Sequence, residues 1–259
     1  MQRSFSSAQN NDRQTGGLSD GRHGPNFEKN MNTLKLIQSE VCPYAQRTHM
    51  CLLEKSLDFD IVEVDLTDKP TWFEKISPYG KVPVLEDGEI RIYESSVINE
   101  YLDEVYRHPP LMPALASGRA VARIWIDFDN VRFVPAFYRV LLEQDLPRQQ
   151  KIVDQLVGHM KYMEEAGFTS HWKGPYWFNG DISLVDLTLY PHFERMAVLE
   201  TYRNISIPPA CHKLMEWCAA MKERPSARFT AHDDDYHIES YRHYADGTAS
   251  GTTARDMRQ

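Results

Sequence analysis

The sequence predicts an α/β plus all-α chain: a domain of order β-α-β-α-β-β-α followed by a bundle of helices. Three observations carry this reading. Residues 33–107 alternate short β-branched or apolar runs with segments of helical periodicity. A proline-dense stretch, His108-Pro109-Pro110-Leu111-Met112-Pro113, then interrupts the pattern. Beyond it the periodic segments are helical, over roughly 115–143, 148–166, 183–199 and 208–223. The expected organisation is a disordered extension over 1–31, an α/β domain over 32–107, a linker over 108–114 and a helical domain over 115–230. A C-terminal extension over 231–259 is expected to end in a flexible tail.

Each element has its own justification. Leu34-Lys35-Leu36-Ile37-Gln38 is a short apolar strand, and residues 44–56 form a helix with Cys51, Leu52 and Leu53 on its apolar side. Phe59 to Asp65 is β-branched and alternating, hence a second strand, parallel to the first because a helix separates them. Thr71 to Ile76 suits a short helix. Val82 to Leu85 and Glu89 to Tyr93 flank Asp87-Gly88, a strong hairpin signal. Ser95 to Tyr106 is helical through Val97, Ile98, Tyr101, Leu102 and Val105. In the helical half, Ser183-Leu184-Val185-Asp186 has the form of a capping box, with Ile182 and Leu187 as its staple.

Composition narrows the function. Lys+Arg number 29 against Asp+Glu 37, a net charge of −8, which disfavours nucleic-acid and acidic-membrane partners. Four scattered cysteines do not make a disulfide framework, so reduced thiols and a cytoplasmic setting are expected. Residues 1–30, rich in Ser, Gln, Asn, Gly and Arg, bury too little to order and contain no apolar run of a secretory signal. No apolar stretch approaches the roughly 18 residues needed to span a membrane.

The chemistry concentrates at Cys42-Pro43-Tyr44-Ala45, where a strand turns into a helix. Free N–H groups at a helix start favour a thiolate, and Pro43 suits the first helical position. Ala45 stands where a dithiol enzyme carries its second cysteine, so a resolving thiol must come from elsewhere. Val82-Pro83 opens a strand, and a cis bond there would turn the Val82 backbone outward to pair with an extended peptide. Ser95 brings a hydroxyl and a backbone N–H to a helix start, a place for a carboxylate, and Glu94 beside it suits an ammonium. Thiolate, free strand edge, anion cradle and carboxylate together match glutathione.

Over residues 33–230 the chain resembles a glutathione transferase, most closely the omega class. The resemblance rests on four ordered motifs: Cys42-Pro43-Tyr44-Ala45; Lys69-Pro70-Thr71-Trp72-Phe73; Pro78-Tyr79-Gly80-Lys81-Val82-Pro83-Val84-Leu85; and Tyr93-Glu94-Ser95. It implies a thioredoxin-like domain followed by a helical one, with glutathione as cosubstrate, no metal and a homodimer. By resemblance Cys42 forms the mixed disulfide, and Tyr44 of the same motif is one of the glutathione-binding residues. Val82, with Pro83, pairs with the cysteinyl unit, Glu94 and Ser95 hold the γ-glutamyl end, and Lys69 binds the glycine carboxylate. The implied reactions are glutathione-dependent thiol transfer, dehydroascorbate reduction and deglutathionylation. The alternatives are a glutathione-dependent isomerase or ether- or quinone-processing lyase of the same fold, and a non-enzymatic binding module.

Other residues have competing readings. Arg47 either favours the thiolate or faces solvent. Cys51, nine residues after Cys42, falls near the opposite helix face and reads as core. Cys211 and Cys218 share one face, where packing outweighs zinc binding with His212, and the run from His232 to His237 reads as an acidic surface. The electrophile pocket is expected between the two halves, with Phe128, Phe133, Phe137 and Tyr138 as candidates that equally suit the core. The sequence does not identify the electrophile.

Overall fold

The computed structural model describes residues 34–168 and 171–258, so the extension over 1–31 lies outside the described residues. Strands β1 (Leu34–Gln38), β2 (Phe59–Glu63), β3 (Val84–Asp87) and β4 (Ile90–Tyr93) form one sheet of order β2-β1-β3-β4. β1 and β2 run parallel, while β3 is antiparallel to both β1 and β4. Helices α1 (Pro43–Glu54), α2 (Phe73–Ile76) and α3 (Ser95–Val105) complete this half.

Alternation along the strands divides its core between the two faces of the sheet. Leu36 and Leu85 pack with Met50 and Leu52 of α1 and with Ile98 and Leu102 of α3. Their neighbours Ile37 and Val84 pack on the other face with Val64, Phe73 and Val82. The proline-rich connection is pinned. The buried Lys55 pairs with Asp103 at 2.7 Å and donates to Tyr106 O and Pro109 O. Leu111 N donates to Asp103 and Leu111 O accepts from Leu184 N.

The helical half comprises α4 (Ala116–Phe128), α5 (Val134–Leu142), α6 (Leu146–Tyr162), α7 (Leu184–Glu194), α8 (Met196–Arg203) and α9 (His212–Lys222). The long helix expected over 115–143 is interrupted by a π-helical turn at Asp129–Phe133, and the one over 183–199 breaks at Arg195. The capping box forms: Asp186 accepts from Ser183 N and Oγ with one oxygen, and from Trp177 N and Trp217 Nε1 with the other. α7 packs on α1 and joins the halves.

The C-terminal extension differs from its sequence reading. After α10 (Pro225–Thr230) closes the helical half, it carries α11 (Asp234–Ser240), α12 (Arg242–Ala245) and α13 (Thr252–Met257). The expected flexible tail is thus partly helical, because Ala249 and Ala254 bury against Leu142. The small Ala249 and Ala254 side chains permit this close packing.

Candidate active site

Cys42 is the N-cap of α1 and is half-buried. Pro43 takes the first helical position, and Gln46 N donates to Cys42 O to close the first turn. The Tyr44 and Ala45 N–H groups face the sulfur and stabilise a thiolate, as do the Arg195 and Arg47 guanidiniums at longer range. Burial nevertheless outweighs them and pushes the thiol above its ordinary value. The activation expected from the helix start is present and is overridden by desolvation. Cys42 Sγ lies 3.8 Å from Val82 O, and the Val82–Pro83 bond is cis.

Glu94 is exposed and caps α3 with φ 71° and ψ 111°, a conformation that costs a non-glycine residue of order 1–3 kcal/mol. Ser95, 5% exposed, starts the helix. Ser96 Oγ accepts from Asn130 Nδ2 at 2.9 Å, and Asn130 Oδ1 accepts from Arg47 at 2.8 Å. Asn130 of the π-helical turn therefore ties the start of α3 to α1.

Arg47 faces neither solvent nor the sulfur directly. It is fully buried, paired to Asp129 at 2.5 Å, and 3.4 Å from His192 Nδ1. Burial pushes the Asp129 carboxyl up to about 7 against the pull of Arg47. The Tyr44 ring turns toward the helical half, with the Arg47 guanidinium 4.7 Å from its centroid and His192 edge-on at 5.6 Å. The buried Arg195 donates to Gln46 Oε1, Pro191 O and Val41 O, bracing the loop before Cys42.

Lys69 is half-buried and donates to Gly80 O at 2.8 Å and Thr252 Oγ1 at 3.4 Å. Of the pocket candidates, Phe133, Phe137 and Tyr138 are core residues. Phe133 stacks on Phe193, and the Tyr138 hydroxyl meets that of Tyr241 at 3.2 Å. Phe128 packs among Trp125, His159 and Tyr162.

Sequence reasoning missed Arg195, Asp129, Asn130, His192 and Thr252. None belongs to a motif, and a π-helical turn leaves no periodic signature. The spacing of Arg47, one helical turn beyond Cys42, was the available hint.

Residues 41–105 match the family model described as glutathione S-transferase, N-terminal domain. The chain is 32% identical over 214 residues to a protein named glutathione S-transferase omega-1 of Rattus norvegicus, covering 82% of this chain and 84% of the relative. It is 33% identical over 169 residues to glutathione S-transferase DHAR3, chloroplastic, of Arabidopsis thaliana, covering 64% and 60%. Among solved structures, glutathione transferase Omega 3C of Trametes versicolor superposes with a TM-score of 0.74 at 27% identity, covering 82% and 90%.

Proposed function

Because this chain belongs to the glutathione S-transferase family and is similar to its omega class, we propose that it is a glutathione-dependent thiol transferase and dehydroascorbate reductase whose nucleophile is Cys42. The observation that carries this reading is the sulfur at the α1 start, faced by two backbone N–H groups, with the Val82 carbonyl 3.8 Å away and no second cysteine at position 45.

In thiol transfer the Cys42 thiolate attacks the glutathionyl sulfur of a mixed disulfide. A Cys42–glutathione disulfide forms and the other thiolate leaves, taking up a proton. The thiolate of a second glutathione then attacks the glutathionyl sulfur, releasing oxidised glutathione and restoring Cys42. Position 45 is alanine and the α1 cysteine Cys51 is buried, so glutathione serves as the resolving thiol. With dehydroascorbate, two glutathione molecules supply the two electrons and two protons of reduction and end as one disulfide.

Val82 pairs through its backbone with the cysteinyl unit, Pro83 sets its direction, Glu94 and Ser95 receive the γ-glutamyl ammonium and carboxylate, and Lys69 receives the glycine carboxylate. Tyr44 closes the side toward the helical half. Exposed Val97 of α3 and Ile124 of α4 suit a homodimer face. Four free cysteines fit a reducing, cytoplasmic setting. Among the described residues no helix is long and apolar enough to cross a membrane.

The test is intact mass after incubation with oxidised glutathione. One glutathionyl unit should add to the wild type and none to Cys42→Ala. Addition to both would reject Cys42 as the nucleophile. Retention of wild type, but not of a Glu94→Gln variant, on immobilised glutathione would separate binding from chemistry.

A further inference from the structure

Two lysines from the segment between α2 and β3 and the loop before it reach the same C-terminal helix. Lys69 donates to Thr252 Oγ1, and Lys81 pairs with Asp256 Oδ2 at 2.6 Å. Thr252 and Asp256 are one turn apart on α13 and so share a face. The helix is anchored on its other side. Ala254 is fully buried with Leu142, Arg139 Nε donates to Met257 O at 3.1 Å, and Arg258 donates to Ala249 O and Gly247 O.

The bonding of Lys69 is incomplete in a definite way. An ammonium has three donors and no acceptor. Gly80 O and Thr252 Oγ1 take two of them. Gly80 has φ +61°, where a side chain is strained, so its carbonyl direction is fixed by glycine. Among the described residues the lysines in ion pairs are Lys55 and Lys81, and Lys69 is not one of them. Among the described residues one Lys69 N–H is without a partner, and the ammonium is held by two neutral oxygens, one of them on a helix outside the thioredoxin-like half, where Thr252 Oγ1 also accepts from Arg255 at 3.3 Å.

We propose that α13 is part of the glutathione site, with Thr252 as a positioning residue. Its hydroxyl and Gly80 O aim the third Lys69 donor at the glycine carboxylate of the tripeptide, and the Lys81–Asp256 pair holds α13 in register. This rests on the reading of Lys69 given above and extends the site to a segment that the motifs do not reach. A flexible lysine on a surface loop would otherwise lose side-chain entropy on binding a carboxylate, and fixing it beforehand removes that cost.

The test compares two ligands on three proteins under reducing conditions. Wild type, Thr252→Val and Thr252→Ser are titrated calorimetrically with glutathione and with the analogue whose glycine carboxylate is an amide. Thr252→Val should weaken glutathione roughly 3- to 10-fold, the scale of one ordinary hydrogen bond. It should change amide binding less than twofold, and Thr252→Ser should keep the wild-type values. Asp256→Asn should shift glutathione in the same direction by a smaller factor. Equal weakening of both ligands would assign Thr252 a structural role only and overturn the proposal, as would unchanged glutathione affinity in Thr252→Val. Should that variant not fold, a reduced preference for glutathione over the amide in Asp256→Asn decides for the proposal and an unchanged preference decides against. If glutathione bound wild type no better than the amide, the Lys69 reading itself would fall, and intact-mass glutathionylation of Cys42 would still report on the rest of the site.

Discussion

The Val82 carbonyl oxygen and the Cys42 sulfur, 40 residues apart in the chain, lie 3.8 Å from each other. β1 delivers Cys42 to the start of α1, and the segment entering β3 delivers Val82, because the two strands pair antiparallel with Ile37 opposite Val84. A peptide laid along Val82 therefore runs past the sulfur.

Replacing Cys42 by Ala should lower thiol-transfer turnover by at least about 100-fold, since Cys42 is the thiol at the α1 start that would form the covalent intermediate. Reduction of a glutathionyl disulfide, followed by coupled oxidation of a nicotinamide cofactor, measures it. Retained turnover in the variant would remove the mixed-disulfide mechanism.

Cys42 alkylation by iodoacetamide should keep accelerating through pH 7 to 9. Burial raises its pKa, so the thiolate is a minority at neutral pH and grows close to tenfold per unit of pH. A plateau reached near pH 6 would mean that the helix N–H groups and the two guanidiniums outweigh desolvation.

Glu94→Gly should separate stability from binding. It relieves the positive φ, worth about 1 kcal/mol after the greater freedom of glycine in the unfolded chain is counted. It also removes the carboxylate proposed for the γ-glutamyl ammonium. Urea unfolding should show equal or greater stability while glutathione affinity drops by roughly 10-fold or more. A destabilised variant with normal affinity would contradict both halves.

Arg47→Met should cost about 3–5 kcal/mol in urea unfolding, because it strands the buried Asp129. The double variant Arg47→Met/Asp129→Leu should recover much of that loss, since both charges are then gone. Additive losses in the double variant would show that the two side chains act independently.

The places of the candidate residues were legible in the chain. Cys42, Val82-Pro83 and Glu94-Ser95 stand at strand ends and helix starts, and those places are written locally by β-branched runs, a proline at the first helical position and a hairpin glycine. The cis bond at Val82–Pro83 and the capping box at Ser183 are equally local. The Asp129–Phe133 turn was not legible, because a π-helical residue changes no hydrophobic period by enough to see. Nor was the inward course of Arg47, since a charged side chain reads as surface until its partners are known.

The sequence by itself determined the order of elements, the place of Cys42 at a helix start and the alanine at position 45 in its motif, because these depend on residues within a few positions of each other. Only the tertiary structure decided the electrostatic state of Cys42 and the partners of Lys69. Desolvation by packing raises the one, and the other depends on Gly80 and on Thr252, 183 residues away. Burial and long-range contact are properties of the packed chain, and they set how reactive the sulfur is and what surrounds it.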